Sequence, residues 1–508
     1  MSHFREVLES IVVSANQMAQ IERRIFAAQM PIAALMEKAA NRAATRIQQL
    51  YPLSQSPEVG ILVGPGHNGG DALVVARELH LQGYSISLYK PFHQLKELTL
   101  QHAQYAESLG IPQSEQIDAL QKCQLVIDGL FGFGLERSLT GTLAEDVNQL
   151  NQWQKPVISI DIPSGIHTDT GEVLGTAVKA THTLCLGLWK RAFFCDQALE
   201  YIGSAERIDF GIPLQDVWAV LGENPPIQQI IPSVARSFLP LPRPLVTHKY
   251  KQGHLLLVCG SSRYAGGAIL TGLGARSSGV GMLSIAVPQF LKLMLTSHLP
   301  EALIIGCPET ETGAIAELPT LDQYTVIACG PGLTTDAQNV VTQVLQSKQP
   351  LILDADGLNI LAQLGVNILS IRNNLTILTP HLGEFKRLFP DLNSSDRITA
   401  CTEAAQKSNA IILFKGARTA IADPDGQVWL IPASTPALAR GGSGDVLTGL
   451  IGGLLTQSKQ PPKNVVALAA WLHAQAGILA AKDKTELGVD GVTLAQYINQ
   501  AITDLVSV

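Results

Sequence analysis

The sequence has 508 residues, 46% of them hydrophobic and only 16% charged, against about 25% charged in ordinary globular domains; it can fill two or three cores, and a mainly disordered protein is excluded. The formal net charge of -7, with no long basic run, excludes a partner held by bulk attraction to a phosphate backbone, so no nucleic acid is expected. The start lacks a signal-like apolar stretch, no window approaches the roughly 20 apolar residues of a membrane span, and the seven cysteines form no CxxC pair, so the expectation is a cytoplasmic protein with reduced thiols and no membrane partner.

Along the chain, residues 16 to 46 read as a mostly helical lead-in interrupted by Pro31. Apolar runs at 59–63, 84–89, 125–127, 157–160 and 181–186 then read as buried strands, with helical spacing over 71–81 between the first two. Seven prolines between Ile212 and Pro244 mark a connector, taken as 219–245, between a first domain at 1–218 and a second at 246–508. The second half repeats the rhythm, with strands at 254–259, 282–287, 302–305, 325–329, 351–354, 375–379 and 410–414 and a glycine-punctuated helix over 445–455. Strand and helix alternating in this way predict an α/β protein of two doubly wound α/β/α domains, with ligands at the carboxyl ends of the strands.

In the first half, Gly64-Pro65-Gly66-His67-Asn68-Gly69 matches GxGxxG between a strand and a helix, yet the next strand ends Tyr89-Lys90-Pro91 without the acid an ordinary dinucleotide fold places on the ribose. The glycines still bring backbone close to an anion at a helix amino end. Asn68, Asp128, Asp161 and Ser164 lie at glycine-flanked strand ends that converge if the strands are parallel. Such oxygen ligands suit a weakly held cation, though each residue alone is as often a cap or turn former.

These residues, with Met36-Glu37-Lys38-Ala39-Ala40 in the lead-in, resemble the NAD(P)HX epimerase domain, which inverts carbon 6 of hydrated NADH and NADPH (NADHX and NADPHX) on a Rossmann-like fold. The resemblance implies that Asn68, Asp128 and Ser164 bind potassium (K+) and that Asp161 is the acid and base on the nicotinamide ring. It also implies a substrate lining of Asn68, Gly69, Gly70, Asp71 and Ala72 with Gly132, Phe133, Gly134, Leu135, Glu136, Arg137 and Ser138. Ala72 and Phe133 depart from the glycine and threonine common in that family.

In the second half, Gly441-Gly442-Ser443-Gly444-Asp445 opens an apolar helix, so free amides face an anion and a carboxylate stands where it can take a proton from an attacking hydroxyl. Gly330-Pro331-Gly332, Pro380-His381-Leu382-Gly383-Glu384 and Lys415-Gly416-Ala417-Arg418-Thr419 follow other predicted strands, and no GxxxxGK[ST] occurs. With Thr247-His248-Lys249, Gly266-Gly267-Ala268 and Asp354-Ala355-Asp356 they resemble the ADP/ATP-dependent NAD(P)HX dehydratase domain of the ribokinase-like superfamily. The resemblance implies that Ala268, Gly332, His381 and Asp445 contact the hydrated dinucleotide, with Asp445 catalytic, and that Lys415, Gly416, Ala417, Arg418, Thr419 and Gly444 hold ADP or ATP. Magnesium (Mg2+) is expected on the phosphates, with Glu384 a candidate ligand.

The function implied is a bifunctional repair of hydrated nicotinamide nucleotides, in which the epimerase supplies the one epimer that the dehydratase consumes. Two alternatives stand beside it, a ribokinase-like small-molecule kinase and a first half that only binds. The low surface charge points to a homo-oligomer.

Overall fold

Short apolar runs that end in glycine or proline cannot bury themselves singly, and here they pair into parallel sheets. The computed structural model describes residues 2–507 and divides into two compact units between Pro225 and Pro226. The boundary lies inside the stretch read as linker, and that stretch is not all connector. Ile227–Gln229 pairs in parallel with Val428–Leu430, and Pro232–Phe238 is a helix whose Phe238 packs edge-on against Trp429. Proline is compatible with both elements, at an edge strand's margin and at a helix's first turn.

In the first unit the sheet order is Gln113–Ser114, Ser85–Tyr89, Glu58–Val63, Leu125–Gly129, Val157–Ile160, His182–Leu186 and Ser204–Ile208, all parallel. Alternate residues of the strand Glu58–Val63 serve opposite faces. Val59, Ile61 and Val63 join the helices Ala15–Ala27, Ile32–Leu50 and His67–Leu81 in one core, while Leu62 joins Val147 and Leu150 of Gly141–Gln152 in the other. A separate two-residue ladder pairs Val12 with Trp189 and Val13 with Lys190. The helix expected from Asp71 begins at His67, which places Gly69 and Gly70 inside its first turn. A Cβ on Gly69 would sit 1.9 Å from the Gly64 carbonyl oxygen, so only glycine lets the helix approach the strand this closely.

The second unit carries ten strands in the order Ile227–Gln229, Val428–Leu430, Ala420–Ala422, Ile411–Phe414, Thr376–Leu378, Leu351–Leu353, Val326–Cys329, His254–Val258, Met282–Pro288 and Leu303–Cys307. All neighbours are parallel except the two antiparallel pairings made by Ala420–Ala422. Leu255 and Leu257 enter a core with the helices Ala265–Ser277, Ser443–Gln457, Pro462–Lys484 and Gly491–Ser507. The expectation that no window reaches membrane-span composition is corrected by Pro462–Lys484, which is long and apolar enough by composition alone. Its apolar window is 72% buried inside the unit, the mark of a core helix. All seven cysteines are free and buried.

Candidate active sites

In the first sheet the chain order reverses between Glu58–Val63 and Leu125–Gly129, and parallel sheets bind ligands beyond the carboxyl ends at such a reversal. A cavity of about 770 Å³ opens there. Asn68, Asp71, Asp161 and the loop from Leu130 to Arg137 line it, and so does Glu22 from the lead-in helix.

Asp128, the next-to-last residue of its strand, is fully buried beneath the cavity lining and ties the neighbouring turns together. Its carboxylate accepts from the Ser164 hydroxyl at 2.6 Å, the Ser164 amide at 2.9 Å, the Ser159 hydroxyl at 2.8 Å and the Leu130 amide at 3.2 Å. Burial pushes this carboxyl above its ordinary range, and those hydrogen bonds oppose the shift. The Ser164 hydroxyl in turn accepts from the Phe131 amide at 2.9 Å, tying the 130s loop to the strand end.

Asp161 follows the strand Val157–Ile160 with φ 72°, a left-handed backbone uncommon outside glycine. Its Oδ2 accepts from the Phe133 amide at 3.0 Å, and its Oδ1 takes the Lys190 ammonium at 2.5 Å. Lys190 is 1% exposed; it also donates to the Leu186 carbonyl and lies 5.7 Å from the centre of the Phe133 ring. A Cβ on Gly132 would lie 3.1 Å from Asp161 Oδ2 and 3.2 Å from Asn68 Oδ1, so this glycine sits between the two side chains.

The four residues expected to converge are therefore brought together, and potassium can be weighed against them. Asn68, Asp128 and Ser164 offer oxygen with a single carboxylate, and among the described residues no cluster of three His, Cys, Asp or Glu side chains could hold a transition metal. The Asn68 Nδ2 end is buried without a hydrogen-bond partner, and turning the amide over would put its oxygen there instead. This donor set fits a weakly held monovalent cation.

Other members of the expected lining fall elsewhere. Gly69, Gly70 and Ala72 are buried in helix packing, with Ala72 against Gly129 and Gly70 against Met36, and they lie off the cavity wall; Ser138 is exposed beyond it. Two residues that sequence reasoning missed are Lys190 and Glu22. A lysine after an apolar run and a glutamate in a polar helix are ordinarily solvated, and nothing in the sequence marks these two apart.

In the second unit the reversal falls between His254–Val258 and Val326–Cys329. Gly442, with φ 93°, turns the chain into the helix Ser443–Gln457, whose first turn carries Asp445. A cavity of about 500 Å³ is lined by Gly267, Gly332, Asp356, Gly441, Gly442 and Asp445, among others. A Cβ on Gly267 would stand 3.5 Å from Asp445 Oδ2 and 3.6 Å from the Gly332 amide nitrogen. Ala268 is fully buried and packs under Gly260, off the wall.

Behind Asp445 stands an ion pair, Lys415 Nζ to Asp354 Oδ1 at 2.7 Å, with the Thr448 hydroxyl donating to Asp354 Oδ2 at 2.6 Å. Burial works against the Asp354 charge, but the Lys415 ammonium beside it holds its pKa below the ordinary value. Burial and the Asp354 charge push Asp445 up to about 7, with Lys415 opposing. A Cβ on Gly444 would lie 3.4 Å from Lys415 Nζ, so the ammonium stands over the amide-rich helix start. Gly416 and Thr419 close the next turn on each other, with Ala417 and Arg418 between them.

His381 caps a helix beside this site. Its Nδ1 accepts from the Gly383 and Glu384 amides, capping the helix Leu382–Leu388, while Glu384 returns a bond to the His381 amide at 2.9 Å. Burial lifts Glu384 to about 7, and Lys415 stands 4.0 Å from it.

Residues 32–192 match the family model described as YjeF-related protein N-terminus, and residues 255–500 match the one described as NAD(P)H-hydrate dehydratase. A Synechocystis sp. protein named bifunctional NAD(P)H-hydrate repair enzyme Nnr is 56% identical over 96% of this chain and 94% of its own. One of the same name from Thermosynechococcus vestitus is 51% identical over 94% of both. Among solved structures, an ADP/ATP-dependent NAD(P)H-hydrate dehydratase from Bacillus subtilis co-crystallised with ATP/Mg2+ is 33% identical, covering 54% of this chain and 97% of that one with a TM-score of 0.49.

Proposed function

The chain belongs to the family of bifunctional NAD(P)H-hydrate repair enzymes, and from that premise we propose which of its residues perform the two reactions. It epimerises the R and S forms of hydrated NADH and NADPH and dehydrates the S form at the expense of ADP or ATP. The match along both halves sets aside a small-molecule kinase fused to a binding module.

In the first unit Asp161 is the acid and base at carbon 6, aimed by its ion pair with Lys190 and by the Phe133 amide. Asn68, Asp128 and Ser164 would hold potassium, which when bound supplies a fixed positive charge beside the substrate. The helix start at His67 and the 130s loop offer backbone amides to the dinucleotide phosphates.

In the second unit Asp445 takes the proton from the carbon 6 hydroxyl as its oxygen attacks the terminal phosphorus of ADP or ATP. The amides from Gly442 to Gly444 and the Lys415 ammonium steady the transferring phosphoryl group. Phosphate then departs from carbon 6, pushed by the ring nitrogen lone pair, and loss of a carbon 5 proton restores the dihydronicotinamide. A hydroxyl leaves poorly and a phosphate well, so the dehydration consumes a nucleotide. Magnesium carried on the phosphates would neutralise their charge, and Asp445 and Asp356 are the carboxyls on that wall.

The observation that carries this reading is a carboxyl poised near 7 at a helix amino end, facing Gly267 and Gly332. An R and S mixture of hydrated NADH, followed at the reduced nicotinamide absorbance, should recover fully with ADP or ATP and not without. Asp445→Asn should abolish recovery while R and S still interconvert; loss of both activities would refute the division of labour.

A further inference from the structure

Inverting carbon 6 means taking its hydroxyl from one face of the ring and restoring it on the other. Loss of the hydroxyl from one face calls for a proton donor and addition of water to the other face calls for a proton acceptor, a pair of tasks suited to two carboxyl groups. The cavity of the first unit holds a second such group outside the sites so far assigned.

Glu22 lies on the helix Ala15–Ala27, where Ala19, Glu22, Arg23 and Phe26 form the face lining the cavity and Met18, Ile21 and Ile25 form the buried one. That helix is set firmly. Its start follows directly from the ladder in which Val13 pairs with Lys190, Ser14 closes a capping box with Gln17, and the Ala15 amide donates to Asp169 Oδ1 at 2.8 Å. The same ladder therefore positions the glutamate and the lysine that holds Asp161. Glu22, Asp71 and Asp161 all line this cavity; burial and the other two carboxyls push Asp71 well above its ordinary range, so it stays protonated, while an ionised Glu22 or Asp161 stabilises a positive charge there and opposes a negative one.

We propose that Glu22 is a second catalytic residue of the epimerase unit, working with Asp161 on a nicotinamide ring bound in the cavity they share. Glu22 gives its proton to the carbon 6 hydroxyl, the C6–O bond breaks with its electrons going to oxygen, and water leaves. The ring nitrogen lone pair forms the C6=N1 iminium, whose positive charge the Glu22 carboxylate left by the proton transfer and the Asp161 carboxylate stabilise. A solvent water adds to the other face, its oxygen forming the new C6–O bond and its proton passing to Asp161. The reverse reaction exchanges the two roles. This rests on the reading of Asp161 as the acid and base of the unit.

The electrostatics agree with the geometry. Burial pushes the Glu22 carboxyl up to about 7; the Lys190 ammonium opposes this and the Asp161 charge adds to it, so the group carries a proton through much of the neutral range. The charged and titratable groups around it are Arg23 on its own helix, His67 and Asp71 on the helix His67–Leu81, Lys96, Glu136 and Arg137 on the loops, and Asp161 and Lys190 at the strand ends.

The test uses the whole enzyme without nucleotide, so that the second unit cannot turn over, and follows by chromatography the approach of a pure S sample to the R and S mixture. The protein-free rate is subtracted. Glu22→Gln should slow this approach at least 100-fold, Glu22→Asp should restore part of it, and nucleotide-dependent conversion of S should stay at the native rate in both. The native rate should fall about tenfold per pH unit above 7. A Glu22→Gln rate within threefold of native overturns the proposal if Asp161→Asn is slow; if Asp161→Asn is also native-like, the reading of the site itself falls. Should Glu22→Gln lose both activities by misfolding, the native pH profile decides, and a flat profile from 6 to 8.5 overturns the proposal.

Discussion

Asp161 is held at φ 72° with both carboxylate oxygens engaged, so the site tolerates little displacement around it. In Gly132→Ala the new methyl must push Asp161 Oδ2 or the Asn68 amide by a few tenths of an ångström. Epimerisation should fall tenfold or more while the thermal midpoint moves by no more than about 2 °C, as the loop is at the surface of the cavity. Lys190→Met should do worse, leaving the Asp161 carboxylate buried without its cation at a cost of about 3 kcal/mol; calorimetry should show the first unit's transition lowered and epimerisation lost. For Asp445 the sign runs the other way from Glu22. A base works only when ionised, so with its pKa raised to about 7 the nucleotide-dependent rate should be level above pH 7 and fall about tenfold per unit below it, measured as kcat for the S epimer. Asn68, Asp128, Asp161, Ser164 and Asp445 were legible in the sequence because glycines and strand ends single them out. Lys190 and Glu22 were not, since their burial comes from a ladder between distant segments that no local pattern encodes.

Among the elements, Pro462–Lys484 carries a second consequence of burial. His473 lies within it, and its Nε2 reaches the Ser443 carbonyl at 3.0 Å; a carbonyl only accepts, so Nε2 carries the hydrogen. Burial holds this imidazole down at about 4 against an ordinary 6.5. The unfolded chain thus takes up a proton near 6.5 that the folded one refuses until about 4. The stabilisation is complete above 6.5 and is lost as pH falls through that window, by about 3 kcal/mol at most. The difference in thermal midpoint between the native enzyme and His473→Gln should narrow as pH drops from 7 to 4.5; a constant difference would count against the assignment. Most strands were legible to within a residue or two, because buried parallel strands are continuous apolar runs. The hairpin Ala420–Ala422 with Val428–Leu430 and the strand Ser204–Ile208 were missed, the first for being three residues a side and the second for carrying Glu206 and Arg207.

At the scale of the molecule, the division between Pro225 and Pro226 makes a sharp statement about excision. A fragment of residues 226–508 keeps the edge strand Ile227–Gln229 and the helix that covers Trp429, and should dehydrate the S epimer at close to the native rate. A fragment of residues 246–508 lacks both and should unfold several degrees lower, as differential scanning would show; equal midpoints would mean that the two elements add nothing. The ladder of Val12–Val13 with Trp189–Lys190 has a consequence for synthesis. A contact between segments so far apart forms late, since the loop between them must close first. On the ribosome Asp161 emerges before its lysine, so the first unit acquires its chemistry only when nearly all of it has been made, and nascent chains released short of Lys190 would be inert toward the hydrated nucleotide.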